Sequence, residues 1–129
     1  MKVLVVGSGG RDHAIAWAFA KSPRVKKVFC AHGNAGIASV AECVPHQDAR
    51  EIAEFAAREG IDLTFVGPEK PLSAGIVDIF RERGLPIVGP SLRASRLEAS
   101  TCDTQALLPE PGIPVPESEN LAGPEPARA

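Results

Sequence analysis

Residues 2–20 read KVLVVGSGGRDHAIAWAFA, and the fold is decided there. Val3, Leu4, Val5 and Val6 form a short unbroken apolar run, the composition of a strand buried on both faces of a parallel sheet. Gly7, Ser8, Gly9 and Gly10 follow without a spacer. Apolar residues then return at helical spacing from His13, with Ala14, Ile15, Ala18 and Phe19 expected on or near the face turned to the sheet. A strand running into a glycine turn and then a helix is suited to holding an anion. The glycines let the backbone approach a ligand, and the first helical turn presents unpaired N–H groups. The plainer alternative is a tight strand-to-helix turn with no ligand.

The spacing is not that of a dinucleotide fingerprint. Counted from Gly7, G-x-G-x-x-G needs glycine at position 12, which is Asp12. An NAD site also wants an acidic residue near the end of the second strand. That strand is expected over residues 25–31, followed by His32, with no carboxylate there. NAD is the weaker reading. Arg11 stands at the helix entrance, where a cation opposes the helix dipole unless a ligand or carboxylate meets it.

The 129 residues suit one domain, with formal net charge -2 from 14 basic and 16 acidic side chains. That balance argues for neither nucleic acid nor an anionic membrane surface as partner. Cys30, Cys43 and Cys102 fall in no paired metal spacing, and the first two read as buried thiols. No metal site is expected. The opening apolar run ends at a glycine turn after four residues, so it reads as neither signal peptide nor membrane span, and a cytoplasmic protein is expected.

After Ser22-Pro23 and the second strand comes Gly33-Asn34-Ala35-Gly36, at the strand end where doubly wound sheets carry their ligand loops. An ordinary turn is the alternative. Residues 39–44 read as a short third strand of mixed polarity. Asp48 is an N-cap candidate, with Glu51 placed to complete a capping box. The helix that follows turns Ile52, Phe55 and Ala56 to the sheet and ends at Gly60. Residues 61–66 form the next strand, followed by the loop Gly67-Pro68-Glu69-Lys70-Pro71. A helix over 72–83 packs through Ile76, Val77 and Phe80. Gly84, a fifth strand over 85–88, and a short helix capped by Ser91 and carrying Ala94, Leu97 and Ala99 complete the alternation. The expected fold is α/β, a Rossmann-like doubly wound parallel sheet of four or five strands in the order 3-2-1-4-5. Pro109, Pro111, Pro114, Pro116, Pro124 and Pro126 then crowd a segment with no apolar period, placing a boundary near residues 100–108.

Read together, Gly7-Ser8-Gly9-Gly10-Arg11-Asp12-His13, Gly33-Asn34-Ala35-Gly36 and Gly67-Pro68-Glu69-Lys70-Pro71-Leu72 closely resemble the N-terminal part of the phosphoribosylamine–glycine ligase (glycinamide ribonucleotide synthetase) family. The resemblance covers roughly residues 1–98 and continues through Gly75, Asp78, Phe80, Gly84, Gly89-Pro90 and Leu97-Glu98. It implies residues 1–100 as the lobe preceding an ATP-grasp domain, and 101–129 as a Pro-rich linker or the truncated start of the ATP-grasp region. It implies an enzyme of purine biosynthesis, joining glycine to phosphoribosylamine to give glycinamide ribonucleotide, ADP and phosphate. ATP and Mg would serve the full-length enzyme, and neither is expected to bind strongly to this chain alone.

A sugar-phosphate half-site is implied at Gly9, Gly10, Arg11, Gly33, Asn34, Gly36 and Glu69. Glycine-loop N–H groups and Arg11 suit the phosphate, Asn34 offers a donor and an acceptor, and Glu69 suits a ribose hydroxyl or the reacting amine. A solvated loop carboxylate is the plainer reading of Glu69. His13 reads as well for packing as for contact, and no catalytic residue is assigned. The family pattern Leu-Glu-Gly-Ser-Lys is here Leu97-Glu98-Ala99-Ser100-Thr101, and the chain reads as a truncated ligase or an isolated lobe. A separately encoded ATP-grasp lobe is one expected partner. The alternative is a sugar-phosphate-binding or interaction module without catalysis.

Overall fold

In the computed structural model, residues 1–108 and Pro114 are described, and two compact units divide the chain, Met1–Ser95 and Arg96–Ala129. In the first unit the elements are β1 (Lys2–Gly7), α1 (Gly10–Lys21), β2 (Lys27–His32), a 3-10 turn (Ile37–Ser39), β3 (Glu42–Val44), α2 (Ala49–Glu59), β4 (Leu63–Val66), α3 (Glu69–Ser73), α4 (Ile76–Glu82) and β5 (Ile87–Val88). Next comes α5 (Leu92–Ala99), within which the two units divide. The second unit goes on to α6 (Thr101–Leu107), capped by the Ser100 hydroxyl, which accepts the Asp103 N–H at 3.2 Å. The proline-rich readings at 109–113 and 115–129 lie outside the described residues. No described helix is long and apolar enough to cross a membrane.

All strand pairs are parallel, and the five-stranded sheet runs β3-β2-β1-β4-β5, the order expected from short right-handed crossovers. β1 is central because its residues are apolar on both sides. Val3, Leu4 and Val5 are 0% exposed. Leu4 and Val6 pack with Phe29, Ile52, Phe55 and Phe80, while Val5 packs with Val28, Ala16 and Ile37 on the opposite face.

Several boundaries differ from the sequence reading, each for a local reason. Residues 39–44 yield only three strand residues, because Asn34 Oδ1 accepts the Ile37 N–H at 2.8 Å and winds 37–39 into the 3-10 turn. The helix expected over 72–83 is two helices. Gly75 is left-handed (φ +81°) and stops propagation between them. The first of the two begins at Glu69, earlier than expected, because Pro71 sits in its first turn, where a missing N–H breaks no helical bond. On α1 the buried residues are Asp12 and Ala16, with Ile15 and Phe19 half-buried, while Ala14 and Ala18 face solvent.

α2 starts and stops as its sequence indicates. Asp48 accepts the N–H groups of Arg50 (2.8 Å) and Glu51 (3.4 Å), and Gly60 ends the helix in the left-handed region. Glu51 does not close a capping box; its carboxylate lies 3.8 Å from Nδ1 of His46, whose ring packs on Phe55. Asp48→Ala is expected to cost about 1 kcal/mol. A urea midpoint equal to that of the wild type would show that water replaces this cap without loss.

Candidate functional site

The parallel registers Gly7↔His32 and Val6↔Val66 bring the ends of β1, β2 and β4 side by side. The loops that leave them are then tied together. Gly33 N–H donates to the Gly7 carbonyl (3.1 Å), and Gly67 N–H donates to the Val6 carbonyl (3.3 Å). Asn34 Nδ2 donates to the Ser8 carbonyl at 2.7 Å, while its Oδ1 holds the Ile37 N–H. Arg11 Nη2 donates to the Gly67 carbonyl. The first loop is thereby clamped to the second by Asn34 and to the fourth by Arg11.

Asp12 is the residue that sequence reasoning passed over. It is 2% exposed, and its Oδ2 accepts the Gly9 N–H at 2.9 Å. A carboxylate there complements the positive end of α1 from within the chain. It also fills the space beside two glycines. A Cβ on Gly7 would stand 2.2 Å from Oδ2, and one on Gly67 would stand 2.1 Å from Oδ1. The acidic residue in the first turn was the available signal, though its contact with Gly67 was not.

His13 packs against the second loop, where a Cβ on Gly36 would lie 3.0 Å from the imidazole Cε1. Cys30 donates its thiol to the Gly7 carbonyl at 3.2 Å. Burial, aided by the neighbouring Cys43 and Asp12, pushes that thiol up to about 12, so at neutral pH it is a protonated core side chain and no nucleophile.

The expected site residues are distributed as follows. Gly9, Gly10 and Arg11 lie on the first loop and the opening of α1, and Gly33, Asn34 and Gly36 lie on the second loop beside it. Glu69 is exposed at the first position of α3, directly after the fourth loop. Both functions of the Asn34 side chain are engaged within the chain, which makes it a clamp between loops. Alongside lies a cavity of about 290 Å³ whose polar lining residues are Ser8, His32, Gln47 and Lys70, none of which was singled out from the sequence. His32 is left-handed (φ +79°), the one such non-glycine among the described residues. A depression of about 480 Å³ around Val25, Lys26, Lys27 and Glu42 lies away from these loops, and Lys27 and Glu42 form an ion pair there (2.7 Å).

Among the described residues, no cluster of three or more His, Cys, Asp or Glu side chains is arranged to hold a metal ion.

A central strand feeding a glycine turn and a helix, with clamped loops at the carboxyl edge of an all-parallel sheet, defines a Rossmann-like α/β lobe. The chain belongs to the family described as phosphoribosylglycinamide synthetase, N domain, whose model matches residues 1–98. It is 49% identical to phosphoribosylamine–glycine ligase of Pseudomonas aeruginosa, over 100% of this chain and 31% of that protein. The Escherichia coli K12 ligase is likewise 49% identical, with 100% of this chain and 31% of the relative covered. The crystal structure of phosphoribosylamine–glycine ligase from Thermotoga maritima superposes with a TM-score of 0.65 at 26% identity, covering 91% of this chain and 26% of that one. N5-carboxyaminoimidazole ribonucleotide synthetase from Thermotoga maritima shares the fold at 21% identity, with a TM-score of 0.66 over 98% of this chain and 35% of that one. The chain therefore spans about a third of the length of the curated relatives it matches, 31% in each of these two cases.

Proposed function

We propose that this chain is the N-terminal lobe of a phosphoribosylamine–glycine ligase and carries that enzyme's sugar-phosphate half-site. The observation that supports this most is the convergence of the first, second and fourth loops, tied by Asn34 and Arg11, in a chain of this family. In this reading residues 1–100 form the lobe, and 101–129 lead into an ATP-grasp region that holds ATP and Mg in the full-length cytoplasmic enzyme. That region activates the carboxylate of glycine as an acyl phosphate. The lobe presents the amine of phosphoribosylamine, whose attack gives glycinamide ribonucleotide, ADP and phosphate.

The chain's own residues would act by placement. Gly9, Gly10, Gly33 and Gly36 let the backbone come close to the sugar phosphate, and Arg11 meets the phosphate with donors left over from its bond to Gly67. Glu69, exposed beside the fourth loop, accepts from a ribose hydroxyl or the amine. Holding the amine in line for attack is a proximity effect.

The test is a chimera in which this chain replaces the corresponding third of the Pseudomonas aeruginosa ligase. ADP release dependent on both glycine and phosphoribosylamine is expected from the chimera, and none from the 129-residue chain alone. A folded but inactive chimera would count against the reading. Within the half-site, Arg11→Ala is expected to weaken ribose 5-phosphate binding about tenfold, the loss of one charge-assisted hydrogen bond. Glu69→Gln should leave inorganic phosphate binding unchanged while altering recognition of the ribosylamine. Calorimetric titration of both variants decides. Unchanged affinity in Arg11→Ala would put the phosphate elsewhere.

A further inference from the structure

The cavity of about 290 Å³ beside the loops carries donors for which the reading above has no use. Ile52 and Pro71 supply apolar wall, while Ser8, His32, Gln47 and Lys70 supply its polar groups. No acidic side chain lines it, and among the described residues neither His32 nor Lys70 takes part in an ion pair. An ammonium offers three donors and no acceptor, and imidazole and carboxamide groups add more. The volume lies at the lower end for small-molecule sites, enough for a phosphate or a pentose phosphate and too little for a dinucleotide.

The backbone adds a second observation. His32 holds a left-handed conformation (φ +79°) directly before Gly33, which is left-handed as well (φ +64°). A side chain at such a position carries a backbone cost that glycine would avoid. Here the strained residue supplies one of the walls of the cavity. The first turn of α1 offers a contrast. There the Asp12 carboxylate already takes the Gly9 N–H, and Arg11 is already bonded to Gly67. The cavity has no internal anion of this kind.

The geometry points to a phosphate-binding seat in this cavity, with Lys70 as charge partner and His32, Gln47 and Ser8 as further hydrogen-bonding groups. The shared chemistry is a phosphate group, either free or as a small sugar monoester.

The test uses the full chain, titrated separately with inorganic phosphate, ribose 5-phosphate and ribose, and followed by backbone NMR. Phosphate should shift the resonances of Ser8, His32, Gln47 and Lys70. Affinity should fall about tenfold in Lys70→Gln and in His32→Asn. Asparagine tolerates the left-handed backbone, so His32→Asn keeps the fold while removing the imidazole. Tighter binding of ribose 5-phosphate than of the free ion, with both lost in Lys70→Gln, assigns the seat to the ester. Equal affinity assigns it to free phosphate, and either result upholds the seat. Shifts confined to Gly10 and Arg11, with affinity lost only in Arg11→Ala, would overturn it while leaving the half-site reading intact. No binding of phosphate at high millimolar concentration would overturn it too.

Discussion

Gly7→Ala is expected to destabilise the lobe by about 3 kcal/mol or more, from a steric and a dihedral cost acting together. Gly7 sits at φ +147°, where L side chains are strained whatever space surrounds them. Its Cβ would also stand 2.2 Å from Oδ2 and 2.3 Å from Cγ of Asp12. The carboxylate has little freedom to move aside, because Asp12 is buried and Oδ2 holds the Gly9 N–H. Displacing it would leave that N–H without its partner. Thermal melting should show a drop of roughly 12 °C or more. Gly60→Ala is the control. It is left-handed at φ +63°, but a Cβ there meets nothing within 4 Å, so only the dihedral cost of about 1–2 kcal/mol applies. Equal melting temperatures for the two variants would mean that the Asp12 carboxylate does not fill the space over Gly7.

That contrast marks where the sequence was legible. β1 could be read because four consecutive apolar residues before a glycine turn have few other solutions, and its central place in the sheet followed. α2 could be read because Asp48 and Gly60 act on their own neighbours. α1 could not be oriented: Ala14, Ala16, Ala18 and Ala20 are apolar without direction, and the face was settled by which of them met Val5 and Ile37. The break at Gly75 was hidden for a related reason. A glycine within an apolar period looks the same whether it continues the helix or turns left-handed, as it does here.

The candidate site divides in the same way. Convergence of the loops after β1, β2 and β4 follows from parallel winding, so Gly9, Arg11, Gly33, Asn34 and Gly36 could be gathered in advance. What each side chain would do there could not. Asn34 was read as offering a donor and an acceptor, and what the sequence did not show is that one bond from each already ties it to Ser8 and Ile37. His32 and Lys70 line one cavity only because the second and fourth loops flank the first; Lys70 stands within the Gly67–Leu72 pattern, but nothing in that pattern pairs it with His32.

Gly67→Ala separates packing from backbone strain, since no left-handed φ is involved and the whole cost is the 2.1 Å approach of its Cβ to Asp12 Oδ1. It should destabilise by about 2–3 kcal/mol. Asp12→Ala alone should cost about 1–3 kcal/mol, because the Gly9 N–H loses its partner and the helix loses its internal anion. Combined, the two changes should cost less than their sum by at least about 1 kcal/mol, since the methyl at 67 enters space the carboxylate has left. Asp12→Asn preserves the size of the side chain, so it should not rescue Gly67→Ala. Nor should Asp12→Ala fully rescue Gly7→Ala, where the dihedral cost remains. The Gly67 carbonyl also receives Arg11, so ribose 5-phosphate binding should weaken in Gly67→Ala and recover in the double variant. Urea denaturation of the cycle together with one titration series tests both halves. Strict additivity in stability would show that Asp12 and Gly67 do not share that space, and the first and fourth loops would then be held together by Arg11 without the carboxylate as a spacer.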